Sequence, residues 1–225
     1  MTSLKIAQTV TEFIILFCAY LLAVTPPGWF RSWVALRMGD ETGKELGLLT
    51  LNPFAHISVV GLICFLLPFY RFGWGRHVPV HRQAIYDGDN RNVKFAAALF
   101  ADTLAHWLVA LLGLVILGFL IGPHIFAATN GIIGSPLTLS YARILGICIH
   151  LSVVLCVVSF IVNSMTYYVA VHKPELYHDD LFNWYFLAAY LLIAITIGNE
   201  IICGVLYGTM FLSQLLCHMM GFANL

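Results

Sequence analysis

Five stretches of this sequence are apolar for about as long as a helix needs to cross a lipid bilayer, and little chain is left between them. A hydrocarbon core about 30 Å thick takes roughly 20 apolar residues in helical form. Lipid offers no partner to a bare peptide group, so such segments must satisfy their backbone within helices. The expected fold is all-α and integral to the membrane, one domain over residues 1–225 with about five transmembrane helices. Composition agrees: 60% of residues are hydrophobic and 10% charged, against about 25% charged in soluble domains.

The spans are expected near 6–37, 54–70, 93–121, 141–171 and 182–216. Lys5 and the run Phe13 to Val24 imitate a signal peptide, but Glu12 precedes that run and Pro26-Pro27 follows it where a small-x-small cleavage site would stand. The segment therefore reads as a retained first span. Proline has no N–H and restricts its predecessor, so a break is expected at 25–28. Gly39-Asp40 should stop the helix that follows. Between the second and third spans, residues 71–94 hold five of the eleven Lys and Arg residues. There His77-Val78-Pro79-Val80-His81 alternates like a hairpin arm, which gives an extended or hairpin loop near 73–92. Asn199-Glu200, beside Gly198, marks a polar interruption in the fifth span.

Charge and cysteines exclude several functions. Eleven basic and eleven acidic residues leave no field that would attract nucleic acid. Cys18, Cys64, Cys148, Cys156, Cys203 and Cys217 lie in apolar runs without a C-x-x-C pair, so they read as packing residues, not as disulfides or thiolate ligands. If all five runs cross, Lys5, Arg71, Arg76, Arg82, Arg91, Lys94 and Lys173 share one face, and Arg31, Arg37, Lys44 and Arg143 take the other. The positive-inside rule then puts the N-terminus in the cytoplasm. The expected location is a prokaryotic inner membrane. Expected partners are membrane lipids, bound ones among them, and other membrane protein subunits.

From Gly39-Asp40 through Leu49-Thr50-Leu51-Asn52-Pro53, His56-Ile57, Trp74 and Val78-Pro79-Val80, the chain carries an ordered run of short motifs. This run resembles the site-2 protease family of intramembrane zinc peptidases over roughly residues 22–115. In that family a His-Glu-x-x-His helix precedes the Gly-Asp pair. Counting back from Gly39-Asp40, the three functional positions fall on Pro27, Gly28 and Arg31. A zinc peptidase needs two His one turn apart, a Glu to take a proton from bound water, and a third ligand. None of the three residues here serves, and a fixed guanidinium repels a cation.

Other parts of the pattern are altered too. His56-Ile57 is followed by Ser58-Val59 where the family has Asp-Pro, and Ala101 to His106 reads Ala-Asp-Thr-Leu-Ala-His in place of Ala-Gly-Pro-x-x-Asn. Around Asn163 only an echo of the helix before the family's third ligand remains, and His178-Asp179-Asp180 lacks its glycine. The resemblance thus implies a degenerate member, a pseudoprotease that has lost zinc and is no enzyme, kept as a structural or accessory subunit of a membrane complex.

Ionisable residues inside spans suggest where function could lie. Asp102 and His106 are four apart and share a helix face. They could form a relocated metal site, but a buried polar cluster of Arg31, Asp102, His106 and Asn163 is the plainer expectation. His150 is a further histidine in the fourth span. His77 and His81, separated by Pro79, are expected to be solvated. Arg71, Trp74, Arg76, His77 and Arg82 form a candidate interaction loop. The alternatives to the accessory subunit are a metalloprotease with a relocated site and a small transporter using Asp102 or Glu200.

Overall fold

The computed structural model describes residues 2–67, 72–86, 88–121, 140–174, 205 and 207–215. Arg71, His178 to Asp180, Asn199-Glu200 and most of the run 182–216 lie outside the described residues. Helix α1 runs over Thr2–Met38, α2 over Thr42–Glu45, a 3-10 turn over Pro53–His56, α3 over Val59–Leu66, α4 over Arg91–Ile121 and α5 over Ser140–His172. Among the described residues three helices, within α1, α4 and α5, are long and apolar enough to cross a membrane. The protein is an all-α membrane protein.

Two expectations about the spans are corrected. No break occurs at 25–28: α1 continues through Pro26 and Pro27. Packing outweighs the two missing N–H groups there, with Ala23, Val24 and Thr25 all buried against the rest of the bundle. The helix ends at Met38, where Gly39 takes φ 110°, a left-handed turn that glycine adopts without strain. The second correction concerns residues 54–70. In place of one span the chain makes the 3-10 turn, then Ile57 and Ser58 in extended geometry, then the eight-residue α3. At 1.5 Å per residue α3 reaches only about 12 Å. The cause is local capping. Asn52 Oδ1 accepts from Phe54 N and Ser58 Oγ accepts from Gly61 N, so each short helix starts afresh.

Residues 72–86 form an irregular strap across the bundle. Its one described bridge is antiparallel, Ile57 with Gly75, and Arg76 N donates to His56 O at 2.7 Å. The strap thus pairs back onto the 3-10 turn, and among the described residues it makes no hairpin with residues 83–92. Tyr20, fully buried in α1, donates its hydroxyl to Trp74 O at 2.9 Å and accepts from Ser58 N at 3.2 Å. Asp40, also fully buried, accepts from Thr42 N at 2.9 Å and His81 N at 2.6 Å. These bonds fasten the strap to both the middle and the end of α1.

Helix association in lipid rests on close packing and polar contacts, because lipid tails are as apolar as leucine. The α4–α5 seam shows the packing. A Cβ at Gly113 would meet Ile149 Cγ1 at 2.8 Å, and Ala110, Leu114, Ala142, Ile149 and Val153 form a buried cluster there with Met210. A second cluster, Ala35, Val80, Ile85, Phe95, Ala98, Leu99 and Ala170, seats the strap on the ends of α1, α4 and α5.

Candidate functional site

Where the strap crosses the three long helices, a cleft of about 110 Å³ opens. Pro27, Gly28 and Arg31 of α1, Trp74 to Val78 of the strap, Asp102 and His106 of α4, and Ser159 of α5 border it. Its central feature is a polar junction. Arg31, only 3% exposed, donates Nη1 to Asp102 Oδ2 at 2.8 Å and to Asn163 Oδ1 at 3.2 Å. Asn163 Nδ2 donates to Asp102 Oδ1 at 2.9 Å and Thr103 Oγ1 at 3.1 Å. Thr103 N donates to the same carboxylate oxygen at 2.8 Å. Each oxygen of Asp102 therefore has a donor, and the charge of Arg31 is matched where both are shielded from solvent.

His106 lies one turn along from Asp102 on the same helix face and is buried, but its Nδ1 has no hydrogen-bond partner. Asp102 bonds to Arg31 and not to His106. Arg31 Nε is likewise buried without a partner.

His77 is exposed, in keeping with the solvated position expected for it, and it also borders the cleft. The strap brings it to the lining that Arg31 and Asp102 share. Burial, reinforced by the Arg31 cation and opposed by Asp102, pushes its pKa down to about 3. The imidazole is neutral at pH 7. No spacing rule could have signalled this, because His77 reaches the site only through the strap's pairing with the 3-10 turn. Trp74 and Arg76 also border the cleft. Arg82 does not: it bonds Asn92 Oδ1 at 2.9 and 3.2 Å, tying the strap to α4. The candidate interaction loop is therefore split between two places. His150 is exposed on α5, away from the cleft lining.

One contact beside the cleft is invisible in the sequence. His56 is fully buried, and its Nε2 lies 2.7 Å from Thr50 O. A carbonyl only accepts, so Nε2 carries the proton and Nδ1 is left as a bare lone pair. That Nδ1 has no partner and packs on Gly28, where an added Cβ would overlap it. Burial, and to a lesser degree the charge of Arg76, lowers the His56 pKa, while the bond to Thr50 opposes the shift.

The family resemblance implies zinc, and the donors near Pro27 to Arg31 do not fit it. No three His, Cys, Asp or Glu side chains among the described residues are grouped so as to hold a metal ion. The one carboxylate in the cleft is engaged by Arg31, Asn163 and the Thr103 amide.

Fold and cleft together define a helical membrane protein with a polar site enclosed between three long helices and a strap. Comparison with known proteins adds one relative. Over 53 residues the chain is 43% identical to "Putative zinc metalloprotease YwhC" of Bacillus subtilis, a stretch covering 24% of this chain and 23% of that protein. No family model and no solved structure matches. The match supports a site-2 protease-like membrane protein and suggests a bacterial membrane. It also corrects the expectation that the chain is no enzyme: the relative is described as a putative zinc metalloprotease, which over this short stretch points toward a protease.

Proposed function

We propose that the chain is a site-2 protease-like membrane hydrolase that takes a peptide segment into the cleft beside Arg31. One observation carries this reading: a fixed cation, Arg31, and a neutral imidazole, His77, border the same small cleft. Charge develops on the carbonyl oxygen during peptide hydrolysis, and a preorganised donor facing it is the usual largest source of rate. Arg31 takes that role, with Asp102 and Asn163 holding the guanidinium still. Water oxygen bonds to the carbonyl carbon as His77 accepts the water's proton. The carbon–nitrogen bond then breaks as His77 returns that proton to the leaving amine. A base so far below neutral pH is weak, so turnover falls below the usual ~1–1000 per second.

The N-terminus lies in the cytoplasm in this reading, by the charge bias of the loops. Lipids and other membrane subunits cover exposed apolar residues such as Ile6, Phe13 and Ile14 of α1 and Val59, Val60 and Ile63 of α3. The test is reconstitution of the protein in nanodiscs with single-span peptides, read by mass spectrometry of the products. Cleavage is expected, and His77→Gln should slow it by about 100-fold or more. No product from the wild type, or an undiminished rate in the variant, sinks the reading.

A further inference from the structure

Not every ionisable side chain of the spans belongs to the cleft. His150 is exposed on α5, and none of the described residues bonds its ring. The residue before it, Ile149, packs on Gly113 of α4, where an added Cβ would meet Ile149 Cγ1 at 2.8 Å. That contact fixes the depth of His150. Leu108 to Gly118 of α4 holds no charged or hydrogen-bonding side chain, so the two helices meet there at the level of the hydrocarbon core. The ion pair of Arg143 with Glu12, at 2.6 Å, stands seven residues toward the start of α5, about 10 Å away along the axis. His150 thus faces outward where lipid offers it no partner.

A polar side chain at that depth is costly and is normally met by a neighbouring helix. An imidazolium is more costly still, so the ring is neutral, with one N–H and one bare nitrogen. Room for a neighbour lies beside it. Gly146 is one turn before His150 on the same face, and a Cβ built there finds no atom within 4 Å. Small residues at such positions let helix backbones approach closely. An unmet polar side chain and an open glycine, two observations of different kinds, mark one patch of α5.

We propose that this patch joins two copies of the chain, packed α5 to α5 about a two-fold axis normal to the membrane. Self-complementarity decides the partner. Such an axis sets His150 of both copies at the same depth, where the N–H of one ring donates to the bare nitrogen of the other. A different protein would need a hydrogen-bonding side chain placed independently at that level. The pairing makes no use of the cleft, so it stands or falls apart from the hydrolytic reading.

The test uses the full chain, labelled with donor or acceptor fluorophore and mixed in liposomes, with energy transfer followed as added lipid dilutes the protein. The wild type should associate. His150→Leu should weaken association by about 3- to 20-fold, the span of one interhelical hydrogen bond in lipid. His150→Gln, which keeps a donor and an acceptor, should retain most of it. Gly146→Val should weaken association too while the unfolding midpoint in detergent changes little, because its side chain enters open space within the single chain. Oxidation of His150→Cys should give a covalent dimer joined through residue 150, and Phe160→Cys, exposed elsewhere on α5, should not. A wild type without energy transfer, association undiminished in both His150→Leu and Gly146→Val, or residue 150 joined to a cysteine of its own chain overturns the proposal.

Discussion

Arg31 on α1 and Asp102 on α4 meet at 2.8 Å, and both also bond Asn163 on α5. One polar junction thus joins all three long helices. In lipid, where packing between helices gains little from the hydrophobic effect, such a junction sets their register.

Breaking that junction one-sidedly should be costly. Asp102→Leu leaves the Arg31 guanidinium buried without its counter-ion, and loss of one partner of a buried pair costs about 3–5 kcal/mol. The double variant Arg31→Met with Asp102→Leu removes both charges and should recover most of that loss. Thermal unfolding in mild detergent decides it. A double variant less stable than either single one contradicts the assignment.

Gly28 is held to glycine by His56. Gly28→Ala drives a Cβ into the buried imidazole, and overpacking of this kind costs about 1–3 kcal/mol. Adding His56→Ala should relieve part of the cost, measurable as a partial recovery of the unfolding midpoint.

Asp40 fastens the strap. Asp40→Ala removes the acceptor of Thr42 N and His81 N, leaving buried donors unmet at about 1–3 kcal/mol each. Hydrogen exchange should speed up in residues 78–86 far more than in α4 or α5. Uniform exchange across the chain would show that Asp40 does not act on the strap.

Acid should loosen the cleft wall. His77 has its pKa lowered from 6.5 to about 3 in the folded chain, so between those values the unfolded chain binds the extra proton. Stability rises with pH through that window and its His77 contribution is constant above it. The wild type should lose stability from about pH 6.5 downward, and His77→Gln should flatten that slope. An unchanged slope in the variant would place His77 elsewhere.

Chelation offers the simplest check on the donor set. With no three-ligand group among the described residues, exhaustive treatment with a zinc chelator should leave both unfolding midpoint and peptide cleavage unchanged. Loss of either, restored by zinc, would show a metal site this geometry does not contain.

The membrane class and the approximate bounds of the long helices at 93–121 and 141–171 could be read from apolar run length, because lipid forces backbone satisfaction within each helix. Run length misled at 54–70, where Asn52 and Ser58 caps and the pairing of Ile57 with Gly75 divide the segment. The proline pair misled at 25–28, because local backbone preference yields to tertiary packing.

The residue types of the polar junction stand out in the sequence because ionisable groups are costly inside an apolar bundle. Which of them bond was decided by the tertiary structure alone. Arg31, Asp102 and Asn163 lie on three helices up to 132 residues apart in sequence, and His77 enters the cleft only because the strap folds back over α1. Hydropathy and helical spacing report what one segment buries. They carry no information about which face of another helix it meets, and that meeting makes the cleft.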